Sequence, residues 1–148
     1  MSTTIPERIA AARAGANPAV ICRVPSGWAV LCDMQFLRGY TLLLANPLAA
    51  SINVLDHPQR AEYLCDMALI GDALLEVTGA YRINYGILGN SDPFLHAHIV
   101  PRYMTEPEEF RLGPPWCYPK QSMDAIPFDF ERDKELIRQI AAAIQKRL

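Results

Sequence analysis

At 148 residues, 51% of them apolar and 20% charged, the chain has the size and composition to bury one globular core, and it reads as neither disordered nor fibrous. A formal charge of −2 gives no general attraction to nucleic acid or to an anionic membrane, so neither is expected as a partner and any phosphate must be met by a local site. The opening Met1-Ser2-Thr3-Thr4 shows no secretory signal and no apolar stretch is long enough to span a membrane, so a soluble, cytoplasmic protein is expected.

Thr4-Ile5-Pro6-Glu7 has the spacing of a capping box with proline in the first turn, and predicts a short helix ending at Gly15. Residues 19–24 and 28–31 are apolar runs divided by Pro25-Ser26-Gly27, which predicts a hairpin. A third strand is expected over 40–45, closed by Asn46-Pro47, completing an antiparallel meander. Asp56 caps the longest predicted helix, which stops at Gly79; Leu64, Met67, Ala68, Leu74 and Leu75 form its expected core stripe.

Residues 81–87 and 94–100 are the last two predicted strands, paired as a hairpin. The proline-rich stretch 103–128 is expected to wander over the surface, and 129–148 to be an amphipathic helix with Ile137, Ile140, Ala141 and Ile144 inward. Cys22, Cys32, Cys65 and Cys117 form no Cys-x-x-Cys unit and are expected to be reduced and buried. The expected fold class is α+β: a single domain over 1–148, with an antiparallel sheet of about five strands and packed helices. Its core spans about 18–103, and 104–148 form a C-terminal extension.

The chemistry concentrates in Asn90-Ser91-Asp92-Pro93-Phe94-Leu95-His96-Ala97-His98-Ile99-Val100-Pro101-Arg102. On an extended backbone, His96 and His98 project from the same face. Two such imidazoles suit metal binding, nucleophilic and acid–base work, or core filling. A zinc site needs a third ligand, and nothing in the spacing selects among His57, Cys32, Asp33 and Cys117, so no metal is expected. The catalytic reading gains from the preceding loop, where Gly89 to Asp92 offer backbone N–H groups, an amide and a hydroxyl to an oxyanion.

The run Leu95 to Arg102 resembles the end of the histidine-triad signature, in which histidines alternate with apolar residues and Pro-Arg often follows. The resemblance extends through Tyr81-Arg82-Ile83-Asn84-Tyr85-Gly86 and through the order of predicted elements, covering about residues 18–103. It implies that His96 is the nucleophile forming a nucleotidyl-histidine intermediate and that His98 is its assistant. Ser91 and Asn90 would contact the phosphate, Asn84 the nucleotide and Asp33 the ribose. The implied function is hydrolysis at the α-phosphate of a dinucleoside polyphosphate, phosphoramidate or adenylylated conjugate, with no cofactor, in a homodimer.

Ile21, Leu31 and Phe36 are the apolar residues available to enclose a base. Asn84 and Asp33 also have plain readings, as a strand-end hydrogen bonder and a turn starter. Arg102 reads as one half of a surface ion pair, and Trp28 and Trp116 as packing or interface residues. The family's first triad histidine is Phe94 here, and a further histidine of many members is Tyr40. Two readings follow: a rearranged polar network that leaves nucleophile and phosphate loop intact, or a nucleotide-sensing module with weak turnover. Ser91-Asp92-Pro93 is similar to the Ser-Asn-Pro of the related uridylyltransferase branch, which carries Gln at the position of His98; the histidine favours hydrolysis over transfer.

Overall fold

In a computed structural model that describes residues 3–148, the chain forms a five-stranded antiparallel sheet in the order β1-β2-β3-β5-β4. The strands are β1 (Val20–Val24), β2 (Gly27–Leu31), β3 (Thr41–Ala45), β4 (Arg82–Gly86) and β5 (His96–Arg102). The first three form the expected meander. β5 lies between β3 and β4, and begins and ends two residues later than the sequence predicts, leaving Phe94 outside it. Pro101 is tolerated because the pairing with β3 ends at Ile99, so its missing N–H breaks no bond on that side.

Alternation divides the sheet into two faces. Ala29, Leu31, Leu43, Ala97 and Ile99 pack with Tyr63, Ile70 and Leu74 of α2 (His57–Thr78), and with Leu136, Ile140 and Ile144 of the C-terminal helix Phe130–Gln145. Val30, Leu42, Leu44 and Val100 point the other way, onto Ile5 and Ile9 of α1 (Ile5–Arg13). α1 starts with the predicted capping box of Thr4 and Glu7, and α2 with one of Asp56 and Gln59. Gly79, at φ 72°, ends α2 in a left-handed conformation that glycine adopts without strain.

The core stripe of α2 differs from the one expected. Leu64 and Leu75 are 39% and 38% exposed, whereas Tyr63, Asp66, Ile70, Gly71, Ala73 and Leu74 are buried. Two residues account for this rotation. The Asp66 carboxylate finds an internal partner in the N–H of Ser26 at 2.9 Å, and a Cβ on Gly71 would sit 2.0 Å from the Tyr85 hydroxyl, so glycine here leaves room for the end of that ring.

The stretch 103–128 is also more ordered than predicted. It contains α3 (Glu108–Arg111), a turn of 3-10 helix at Pro115–Cys117 and α4 (Lys120–Asp124), before the C-terminal helix α5 (Phe130–Gln145). The cysteines are free, but Cys65 and Cys117 are exposed, contrary to expectation, while Cys32 is buried and Cys22 half-buried. Among the described residues, no helix is long and apolar enough to cross a membrane.

Candidate active site

β5 is the strand that presents both histidines. Its register sets His96 opposite Leu44, which pairs with Trp28, and sets His98 between Leu42 and Gly86. The two rings meet edge to face, 5.1 Å between centroids. His96 is 9% exposed, and its Nδ1 lies 2.7 Å from the carbonyl oxygen of Phe94. A carbonyl only accepts, so Nδ1 carries a proton, and Nε2 is the nitrogen that holds the lone pair when the ring is neutral. Phe94 thus serves His96 through its backbone, a contact any side chain at position 94 would permit.

His98 is held by other means. Its Nδ1 is 2.6 Å from the Tyr40 hydroxyl, and the edge of Trp116 approaches its ring at 5.4 Å between centroids. Burial, and then the proximity of His96, push its pKa down to about 4, so the imidazole is neutral near pH 7. Burial pushes the Tyr40 phenol up, keeping it protonated. Trp116 can lie there because β4 has glycine opposite His98: a Cβ on Gly86 would be 2.7 Å from the indole.

Trp116 is carried by the excursion after β5, and Arg102 anchors that excursion. Far from forming a surface pair, Arg102 is 1% exposed. Its guanidinium donates to Glu106, to the Asn84 side-chain oxygen at 2.7 Å, and to the carbonyls of Gly113 at 2.6 Å and Phe110 at 2.8 Å. The Tyr118 hydroxyl and the Tyr103 N–H also donate to Glu106. Burial opposes the Glu106 charge, but these donors hold its pKa below the ordinary carboxylate range. The sequence offered no signal for Trp116, since a Pro-Trp-Cys-Tyr-Pro run has no periodicity to assign it a face.

The other candidates are distributed unevenly. Asn84 pairs with Val100, on the histidine face, with its carbonyl end engaged by Arg102. Asn90 and Ser91 are exposed, and Ser91 lines a cleft of about 420 Å³ with Phe94, Asp92 and the residues that start α1. No described hydrogen bond joins either to a histidine. Of the residues named for enclosing a base, Ile21 and Leu31 belong to the opposite core, and Phe36 alone packs on the histidine side. The reason is parity: Leu31 pairs with Thr41, whose partner is Ile99, one residue out of phase with the histidines.

Asp33 is engaged by α1. Arg8 donates to both its carboxylate oxygens, at 3.1 and 2.5 Å, while Asp92 accepts from the first N–H of the helix at 2.8 Å. The Arg8 hydrogen bond holds the Asp33 carboxyl below its ordinary value. A depressed acid contributes stability that is complete above its unfolded value, about pH 4, and is lost as pH falls through the folded value. Arg8→Gln is therefore expected to lower stability to urea at pH 7 and to have a smaller effect near pH 3. Equal losses at both would exclude the ion pair as the cause.

No protein-family profile matches the sequence, and no curated protein does. Solved structures do match. A histidine-triad protein from Marinobacter aquaeolei superimposes with a TM-score of 0.71 at 20% identity, covering 95% of this chain and 94% of that one. One from Sinorhizobium meliloti gives 0.68 at 24% identity, covering 87% and 88%. The diadenosine triphosphate hydrolase of Plasmodium falciparum gives 0.60 at 15% identity, covering 88% and 78%.

Proposed function

We propose, starting from the histidine-triad fold that this chain adopts, that it is a nucleotide hydrolase acting through His96. The observation that carries the reading is the bond from His96 Nδ1–H to the Phe94 carbonyl, which makes Nε2 the nucleophilic nitrogen of the neutral ring, beside a neutral second imidazole. Nε2 attacks the α-phosphorus of a nucleoside phosphate derivative. A P–N bond forms as the bond to the leaving group breaks, and the leaving group departs with the electron pair and takes up a proton. Water then attacks the same phosphorus, the P–N bond breaks, and a nucleoside monophosphate is released.

In this scheme His98 donates to one nonbridging oxygen, and Ser91, Asn90 and the loop N–H groups hold the other. Asn84 approaches the nucleotide through its amide end, and Asp33 meets the ribose once Arg8 has let go. The residues of the site do every step, with no metal or other cofactor. A neighbour of the same fold being a diadenosine triphosphate hydrolase favours dinucleoside polyphosphates as the first substrates to test.

The test is acid-quenched mass spectrometry during turnover of dinucleoside polyphosphates, phosphoramidates and adenylylated conjugates. A nucleotidyl adduct on His96 is expected; steady release of monophosphate with no adduct in rapidly quenched samples would remove the covalent mechanism. A nucleotide-sensing module is the second reading, favoured by Phe94 at the position where the resemblance expects a histidine and by the burial of His96, 9% exposed. It predicts calorimetric binding of AMP or GMP with no turnover of any of these compounds.

The exposed Leu64 and Leu75 of α2, with Tyr81 and Tyr85 on the edge strand β4, form an apolar margin suited to an isologous homodimer. Sedimentation is expected to give a dimer, and a monomer at micromolar concentration would count against it.

A further inference from the structure

Tyr40 sits at the head of β3, 0% exposed, and the hydrogen bond described for its hydroxyl is to His98 Nδ1, at 2.6 Å. A buried hydroxyl needs an acceptor for its proton. With Nδ1 as that acceptor, the ring keeps its remaining proton on Nε2.

We infer that the Tyr40 hydroxyl donates to His98 Nδ1 and fixes that ring as its Nε2–H tautomer, making Tyr40 a positioning residue for the second histidine. The two imidazoles are thereby set in opposite senses. His96 gives its Nδ1 proton to a carbonyl and exposes a lone pair, whereas His98 receives a proton at Nδ1 and exposes a donor. One strand face then offers a nucleophile and an N–H for phosphate oxygen side by side, with no proton to be rearranged before reaction.

The groups facing His98 are Tyr40 from β3, His96 from its own strand and Trp116 from the excursion, with Cys32 beyond Tyr40 at the end of β2. Burial pushes the Cys32 thiol up to about 11 and the Tyr40 phenol up as well, so neither titrates near neutrality. A phenol donor at Nδ1 stabilises the neutral ring, which agrees in direction with the depressed basicity of His98.

The experiment is a pH titration of the full-length protein labelled with ¹⁵N-histidine, followed by NMR. Wild type is expected to show the His98 ring proton on Nε2 and a midpoint well below the ordinary histidine range. Tyr40→Phe, which keeps the buried ring, is expected to raise the proton affinity of His98 about tenfold, the scale of one hydrogen bond.

A His98 midpoint unchanged in Tyr40→Phe, or a wild-type proton on Nδ1, overturns the proposal. If Tyr40→Phe does not fold, the position of the wild-type ring proton decides by itself. The kinetic part rests on the proposed hydrolysis: kcat is expected to fall about tenfold in Tyr40→Phe with KM within about twofold. A wild type without turnover would defeat the functional reading, and the titration would still judge the Tyr40–His98 tautomer.

Discussion

His96→Ala lowers the rate of nucleoside monophosphate release by at least about a thousandfold, the scale seen when a covalent nucleophile is removed. The argument rests on position. His96 is the ring with a free Nε2, and its neighbour His98 cannot replace it, because the Nδ1 of that ring is occupied by Tyr40. The substitution removes a side chain that is 9% exposed, bonded to one carbonyl and in contact with one other ring, so the sheet survives. Circular dichroism and the urea midpoint check the fold, and AMP affinity should change far less than turnover. Equal release by wild type and His96→Ala would sink the proposed mechanism. A partial return of activity on adding free imidazole would place the missing group in the space left behind.

Arg102→Met lowers stability by about 3–5 kcal/mol, the range for removing one partner of a buried ion pair. Glu106, 5% exposed at its side chain, then keeps a buried charge without its counterion, and the carbonyls of Gly113 and Phe110 lose their donor. The double variant Arg102→Met with Glu106→Gln should recover part of the loss, since the orphaned charge is gone. Urea unfolding measures both. A loss below about 1 kcal/mol in the single variant would mean that the guanidinium is dispensable to the fold. Because the same network carries Trp116 to His98, Arg102→Met should also disturb the His98 titration.

The strands, the capped helices and the shared face of His96 and His98 were legible in the sequence because each has a local cause: a period, a cap residue or a glycine stop. Leu64 and Leu75 were misassigned because α2 carries overlapping apolar stripes. The choice between them was made by Asp66 and Gly71, through partners about 40 and 14 residues away in sequence. Arg102 looked like any charged residue after a strand, and its burial depends on carbonyls that converge only when 103–119 folds back. Trp116 escaped for the same reason. Asp33 was identified by its place near the end of β2, yet the arginine that engages it comes from α1, which no pattern in either segment connects to it.

The order β1-β2-β3-β5-β4 carries a consequence for how the molecule is made. β1, β2 and β3 are neighbours in sequence and in space and can pair as they emerge. β4 follows, but its sole partner strand is β5, so it has nowhere to bond until residues 96–102 arrive. The histidine strand is therefore the closing piece of the sheet, joining a meander already formed to an edge that waits for it. A chain interrupted before residue 96 can hold its hairpin and helices, but it contains neither imidazole of the pair nor the surface against which they are oriented.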